Sequence, residues 1–412
     1  MPFAFFASSI YLIIFLGYDP SFLLPYGADE IQSSILLAIP LFIMAGGIIE
    51  TGGMGKRIIN LVNSIVGKLK GGLGIATIVS CAIFGSISGS GSATMTTIGN
   101  IMLPRLEESG YPRGYSASLV ASASVLGSFI PPSSLMILYG WISNQSVLAA
   151  FLSTVIPGII FMILLSIITI FYLKNIEIKT VGPIDFKTRT KHIGKNTLSS
   201  LPVLILAFIV LGGIYGGFMT TTEAAGVSVI YSIPVGIWIT KGLNGKNFYQ
   251  VVVKSATMTG IIMLMLFASM ILSRMLVTEH LPEKMTDLLL VISDNKIIIL
   301  LLVNLVLVVI GMLMDDVSGV LLTTPILLPI VMDFGVDPIH FAAILSVNLG
   351  LGVVTPPSAP LLFLAGQLAG AKPIELFKPT AIIIAFAWLP VLAITTYFPE
   401  LSLFLPKLLL DY

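Results

Sequence analysis

Charge is what this 412-residue chain has least of. Asp, Glu, Lys and Arg make up 10% of it, against 56% apolar residues. A soluble domain carries about a quarter charged residues because its surface faces water. With so few charges, the missing solvated surface must face lipid. The single cysteine, Cys81, excludes a disulfide framework. The three histidines, His192, His280 and His340, are scattered. No HExxH, no CxxC pair and no phosphate-binding glycine loop occurs, so the common metal, redox and nucleotide signatures are missing. The 21 basic and 20 acidic residues leave a net charge of +1, and nothing points to nucleic acid. Residues 3–16 are apolar but lack a basic n-region and a small-residue cleavage site, so they do not read as a signal peptide.

What is present is a succession of apolar segments with short breaks. Helices are expected near 3–17, 34–50, 73–86, 95–107, 114–144, 151–173, 198–217, 223–240, 258–277, 297–314, 320–334, 340–370 and 379–398. Several are shorter than the roughly 20 residues a span needs, and these read as arms of re-entrant hairpins. Residues 54–70 (MGKRIINLVNSIVGKLK) place Ile58, Leu61, Val62, Ile65 and Val66 opposite Lys56, Arg57 and Lys68, the pattern of an interfacial helix lying along the membrane. Its repeat partner is expected to start near Glu279.

The charges set the topology. Residues 174–195 hold Lys174, Lys179, Lys187, Arg189, Lys191 and Lys195 against Glu177 and Asp185, which marks a cytoplasmic loop. Lys56, Arg57, Lys68, Lys70, Arg105, Arg113, Lys241, Lys246 and Lys372 fall on the same side. Residues 19–30 contain no base, and 279–294 and 333–337 are acidic on balance. These fall on the other side.

An internal repeat organises the chain. Shifted by 225 residues, Pro104 meets Pro329 and Gly110 meets Gly335. Leu126 and Gly127 meet Leu351 and Gly352. Pro131, Pro132 and Ser133 meet Pro356, Pro357 and Ser358. The first copy leaves its hairpin through Arg105 and Arg113, the second through Asp333 and Asp337. The copies therefore enter from opposite faces, the inverted-repeat plan of secondary transporters. The apolar segment 198–217 has no counterpart under this shift: either the first copy never had one or, the favoured reading, an N-terminal span of about 20 residues is expected before residue 1.

Two paired elements could carry chemistry. Residues 86–94 (SISGSGSAT) and their equivalents 311–319 (GMLMDDVSG) each join two apolar arms. Glycine and serine runs free backbone carbonyls, which survive in a bilayer only where protein or a cavity satisfies them. Hard oxygen ligands at half-helix ends suit a cation; close helix packing is the alternative use of small residues. Residues 127–134 (GSFIPPSS) and 352–359 (GVVTPPSA) lie in the middle of long apolar stretches. Proline removes an amide donor and clashes with the preceding turn, so both segments should unwind at mid-membrane. Asp315, the repeat partner of Ser90, and Asp316 are adjacent carboxylates in an apolar setting. Such residues are costly to bury and functional by default; a sodium ion would compensate the charge, and a proton relay in which the aspartate titrates is the alternative. Two sodium sites are expected. One would use Ser88, Gly89, Ser90, Gly127 and Ile130; the other Asp315, Ser318, Gly319, Gly352 and Thr355. A transported substrate is expected to meet Ser90, Ser92, Thr94, Ser133, Asp316, Ser318 and Ser358. Arg274 reads either as a partner for an anion or as an arginine snorkelling to the interface. Glu223, after three threonines, reads as the first turn of a capped helix.

The chain resembles the large membrane subunit of tripartite ATP-independent periplasmic (TRAP) transporters. The resemblance covers nearly the whole sequence and rests on PLFIMAG at 40–46, SGSGSAT at 88–94, IPPS at 130–133 and TTTEAA at 220–225. TPILLP at 324–329, VDPIHF at 336–341 and TPP at 355–357 complete the set. It implies an all-helical polytopic membrane protein with the inverted-repeat elevator fold of the ion-transporter superfamily, with two re-entrant hairpins and two broken helices. Scaffold helices would occupy 1–70 and 198–296. The transport domain would occupy 71–173 and 297–398, with a cytoplasmic loop at 174–197 and a C-terminal tail at 399–412. It also implies sodium as the coupling ion with no organic cofactor, a small four-helix membrane partner, a soluble periplasmic binding protein and a location in the bacterial inner membrane. The substrate would be a small organic acid, with a fine pattern most like the sialic-acid carriers. The sequence departs from the family in the N-terminal helix it lacks, in Asp316 where many members have proline, and in Ser358, Ala359 and Pro360 after the proline pair.

Other classes fit less well. An intramembrane enzyme needs facing catalytic groups, and adjacent Asp315 and Asp316 do not face each other on a helix. A channel would not concentrate solute, and a structural scaffold needs no unwound midplane segments. A proton-coupled carrier of the same fold, working without a binding protein, is the nearest alternative.

Overall fold

In a bilayer core there is no water to pair the first amides of a helix, so each helix must bring its own caps. The sequence supplies them. Side chains of Asp19, Ser90, Ser146, Thr220, Asn244, Asn295, Asp315 and Asp337 each accept a hydrogen bond from the first turn that follows. Glu223 completes a capping box, accepting from the Thr220 amide at 2.8 Å while its own amide donates to Thr220 Oγ1 at 3.2 Å. The expected capped start at Glu223 is thus present.

The computed structural model describes residues 2–66, 70–178, 186–410 and 412. Eight helices in it are long and apolar enough to cross a membrane, nine if Arg113–Phe129 and Ser134–Ile142, bent by 46° at their break, count as one span. Among the described residues there is no strand. The two repeats have the same element order. The first runs through hairpin arms Gly72–Ser88 and Gly91–Glu108, the broken helix, and the span Val147–Tyr172. The second runs through arms Lys296–Leu313 and Asp316–Asp333, a broken helix of Pro338–Gly352 and Pro360–Ala369, and a last span ending at Tyr397.

The repeats interlock. Arg113–Ser124 packs on Pro360–Ala369 and Pro373–Ile383, while Ser134–Ile142 packs on Asp316–Asp333. Their shared centre is aromatic: Phe161 and Trp388 ring centroids lie 4.1 Å apart, and Phe129 meets Trp388 edge-on at 6.0 Å. All three are fully buried. In each repeat a polar bridge fastens the start of the broken helix to the following span. Tyr115 Oη donates to Thr169 Oγ1 at 2.9 Å, and at the repeat-equivalent position 340 the His340 ring nitrogen pairs with the Thr395 carbonyl at 2.8 Å.

A second set of helices, Pro2–Leu16, Ala38–Thr51, Phe186–Tyr215, Thr221–Pro234 and Gly245–Thr278, packs largely on itself. Arg57, on Met54–Val66, ties two of its segments together, donating to the Ser199 carbonyl at 2.8 Å and to the Ile239 carbonyl at 2.7 Å. The amphipathic helix Met54–Val66 lies between the two sets, with Ile58, Ile59, Leu61 and Val62 buried against Gly72–Ser88 and Phe186–Tyr215. Residues 67–69 of the expected 54–70 segment, including Lys68, lie outside the described residues. Its repeat counterpart is Leu281–Ile292, which packs on Asp316–Asp333.

Several expectations are corrected. Residues 19–30 form a helix, Pro20–Glu30, because Asp19 caps it and proline occupies its first position. The segment at 258–277 begins thirteen residues earlier, at Gly245, where Asn244 caps it. The helix at 198–217 already begins at Phe186, so the loop at 174–197 is partly helical; its residues 179–185 lie outside the described set. The tail at 399–412 is largely helix, Pro399–Leu410, held against Val147–Tyr172 through buried Ser402, Leu403 and Pro406. Arg274 holds its guanidinium 5.3 Å from the Tyr26 ring centre, a cation–π contact that the two sequence readings did not include.

Lipid tails are as apolar as a side chain, so packing rather than burial holds the aromatic centre together. Phe129→Ala should therefore cost mainly the cavity, about 2 kcal/mol or more, and lower the thermal midpoint of the purified protein. Phe208→Ala, at a side chain 78% exposed, should leave it unchanged; equal midpoints for both would show that the centre is not close-packed.

Candidate functional site

Each hairpin turns at a short gap, and the two gaps are built alike. Ser90 caps the second arm of the first hairpin, accepting from the Ala93 amide at 3.4 Å. Asp315, at the equivalent position, caps the second arm of the other, accepting from the Ser318 amide at 3.2 Å and from Ser318 Oγ at 2.5 Å. A serine can only share a proton at this place; an aspartate brings a full charge to the same geometry.

At the first tip the hydroxyls form a chain. Ser88 Oγ lies 3.3 Å from Thr94 Oγ1, Thr94 Oγ1 donates to the Ser90 carbonyl at 2.8 Å, and Ser90 Oγ lies 3.0 Å from Ser92 Oγ. The break reaches this tip. Gly89 turns through a φ of +64°, and its carbonyl accepts from the Ser134 amide at 3.2 Å and Ser134 Oγ at 3.0 Å. Ser133 Oγ is buried without a partner among the described residues. The backbone at Gly127 passes so near that an added Cβ would sit 2.6 Å from Thr94 Oγ1 and 2.8 Å from the Ser90 carbonyl oxygen. Ser88, Gly89, Ser90, Thr94 and Gly127 are therefore brought together. Ile130 is one step away, its amide donating to the Leu126 carbonyl at 2.9 Å.

The second tip is looser. Ser358, the repeat partner of Ser133, donates its Oγ proton to the Met312 carbonyl, a contact of the same kind as that of Ser134 but out of register with it. Gly352 meets Gly311 back to back: a Cβ on Gly352 would lie 2.3 Å from the Gly311 carbonyl carbon. In the first repeat Gly85 and Gly127 make the same crossing, one residue out of register. Thr355 turns inward, its Oγ1 donating to the Leu351 carbonyl at 2.6 Å. Gly319 packs against the side chain of Leu349 rather than against the break, and its amide donates to the Asp315 carbonyl at 2.9 Å. Asp316 faces a small cavity shared with Ser128 and Ser346. Both proline pairs, Pro131-Pro132 and Pro356-Pro357, are cis.

Two participants, Thr154 and Ser346, escaped the sequence reading, and a third, Ser134, was not assigned to the site. Thr154 Oγ1 donates to the Phe129 carbonyl at 2.7 Å, satisfying an acceptor that the break frees. Ser134 was legible as part of the run at 127–134, but Thr154 and Ser346 sit in ordinary-looking apolar helices and carry no local signal. The donor set is hydroxyls, carbonyls and carboxylates that are not clustered; among the described residues no group of three His, Cys, Asp or Glu side chains could hold a metal ion. Hard oxygens with one nearby carboxylate fit an alkali cation better than a transition metal.

The glycine crossing allows a direct test. Gly352→Ala would force its Cβ into the Gly311 backbone, an overpacking cost of about 1–3 kcal/mol, and should lower the thermal midpoint. Gly260→Ala, where a Cβ would meet nothing within 4 Å, should not. Equal midpoints would mean that the crossing gives way freely.

The relatives agree with this architecture. The description of the tripartite ATP-independent periplasmic transporter, DctM component, matches residues 1–401. The chain is similar to the isethionate TRAP transporter permease protein DctMQ of Oleidesulfovibrio alaskensis, 37% identical over 91% of this chain; it spans only 58% of that relative's length. It is also similar to the C4-dicarboxylate TRAP transporter large permease DctM of Pseudomonas aeruginosa, 33% identical over 90% of this chain and 86% of the relative. The sialic acid TRAP transporter large permease SiaM of Vibrio cholerae is 30% identical over 93% and 88%. Among solved structures, the YdaH transporter of Alcanivorax borkumensis shares the fold, with a TM-score of 0.62 at 15% identity over 92% of this chain and 86% of that one. With a match along nearly its whole length and relatives that are transporter permeases rather than enzymes, the chain belongs to the family of DctM components of tripartite ATP-independent periplasmic transporters.

Proposed function

We propose that this subunit imports a small organic acid across the bacterial inner membrane, coupled to sodium and by elevator-type alternating access. The observation that carries the reading is the pairing of two hairpin tips with two helix breaks at positions 225 residues apart, each tip fastened to its break by a serine hydroxyl on a tip carbonyl. Half-helix ends and unwound carbonyls at matched points of two repeats are the usual form of an ion-coupled transport site.

Sodium, a transported ion here, would be held near Ser88, Gly89, Ser90, Gly127 and Ile130 at the first tip. At the second it would be held near Asp315, Ser318, Gly319, Gly352 and Thr355. Asp315 supplies the charge that makes the second site prefer a cation. The organic anion would lie between the tips, among Ser90, Ser92, Thr94, Ser133, Ser318 and Ser358, where hydroxyl donors can meet a carboxylate. Three of the relatives are named for organic anions: isethionate, C4-dicarboxylate and sialic acid. This supports the substrate class, with sialic acid one member of it.

The elevator reading is supported by the way the helices group. The interlocked repeats form one body around Phe129, Phe161 and Trp388, which would move as the transport domain. The helices tied by Arg57 would be the scaffold. A small four-helix membrane subunit and a soluble periplasmic binding protein complete the system on this reading, as the tripartite family name implies.

Two measurements test this. Labelled organic acids are offered to proteoliposomes holding this chain with its small membrane subunit, with the binding protein outside. Uptake should follow the inward sodium gradient and should collapse when potassium replaces sodium or when either partner is left out. Uptake that follows a proton gradient alone, or full-rate uptake by this chain by itself, would overturn the reading. Asp315→Asn should insert normally yet raise the sodium concentration for half-maximal uptake by roughly tenfold or more; an unchanged sodium dependence would make Asp315 a cap and nothing else.

A further inference from the structure

Asp316 is a half-buried carboxylate at the start of the second hairpin's outgoing arm, and the two ion pairs found among the described residues, Arg113 with Glu107 and His280 with Glu283, leave it out. Its carboxylate accepts only from neighbouring backbone, from the Val317 amide to Oδ1 at 3.1 Å and from its own amide. An intramembrane charge needs more than that. Asp316 borders a small cavity of about 10 Å³, room for one water-sized particle and far too small for an organic acid. Ser128 lines the same cavity and is buried. So does Ser346, whose Oγ is fully buried and has no hydrogen-bond partner among the described residues. An unpaired buried hydroxyl costs about 1–3 kcal/mol, which a ligand in the cavity would offset.

The cavity also has a particular place in the fold. Val125 and Gly350 line it, and so do Ser128 and Val353. Each pair is separated by 225 residues, the repeat interval. The cavity therefore lies where the two repeats face each other, beside both breaks, with the start of the second hairpin's outgoing arm closing it through Asp316.

We propose that Asp316, Ser128 and Ser346 form a third sodium site, separate from the two tip sites and placed between the repeats. This rests on the sodium-coupled reading above. A water molecule alone would leave the carboxylate charge uncompensated. Calcium requires six to eight oxygens and magnesium a near-ideal octahedron, more than one carboxylate and two hydroxyls offer here. A monovalent cation balances a single carboxylate. Occupied, the site would draw the second hairpin onto the first repeat's break, so that sodium binding at one tip favours the other.

The test is binding of radioactive sodium to the purified chain, alongside the sodium dependence of uptake in the assembled transporter. Ser346→Ala and Asp316→Asn should each remove one bound sodium per chain at concentrations that saturate the remaining sites. Each should raise the half-saturating sodium concentration by roughly tenfold and flatten the steepness of the sodium response. If Asp316→Asn fails to fold, Ser346→Ala, which deletes only a hydroxyl, decides the matter. Wild-type sodium binding with both folded variants unchanged would mean that the cavity holds water only, and would overturn this site while leaving the tip sites standing. A wild-type chain that binds no sodium at all would overturn the transport reading together with it.

Discussion

Everything in this structure answers to one constraint: a peptide group inside the membrane has no water to fall back on. Where the helix is continuous the constraint is met within the segment. Where glycine and proline interrupt it, the freed groups must find partners elsewhere, and the partners determine the architecture. At the first break the Phe129 carbonyl is taken by Thr154 and the Gly89 carbonyl by Ser134. At the second, the Met312 carbonyl is taken by Ser358 and the Val353 carbonyl by the Leu361 amide. Each of these bonds joins a break to something other than its own turn of helix, so each break ties parts of its own repeat together as well as interrupting a helix.

Close approach makes those bonds reachable. Gly85 against Gly127 and Gly311 against Gly352 let hairpin arm and broken helix touch through backbone alone. In lipid, where burial of apolar area gives no driving force between helices, such contact is a main source of packing energy. The glycines are therefore needed twice, once to permit the crossing and once to place the tip carbonyls beside the unwound segment. This explains why the same residue type recurs at both breaks although little else in the two halves is identical.

Much of this was legible in the sequence, for a physical reason. Glycine, proline and serine leave marks that do not depend on tertiary context, so the 225-residue repeat, both tips and both breaks could be read directly. The capping box at Thr220 and Glu223 was equally local. What stayed hidden depends on partners far along the chain. Pro20–Glu30 and Pro399–Leu410 looked like loop and tail because their polarity is mixed and their prolines suggest breaks; the first is capped by Asp19 and the second is held by the span it packs against. Thr154 and Ser346 looked like ordinary hydroxyls in apolar helices, since a threonine that satisfies a carbonyl 25 residues away carries no mark in its neighbours.

The two tips share a cap position but not a charge, and that difference gives the proposed site its polarity. Ser90 closes the first tip within a neutral chain of hydroxyls. Asp315 closes the second with a carboxylate that already serves two donors on Ser318, and Asp316 adds another beside it. An anion placed between the tips would feel hydroxyl donors from one side and negative charge from the other. Bound cations on the carboxylate side would reverse that second field. In such an arrangement the anion is held well only after the cations are in place, since each carboxylate left bare repels it. Coupling of the two solutes then needs no separate latch. It follows from putting the carboxylates at one tip and the bare hydroxyls at the other, on a backbone that is otherwise the same.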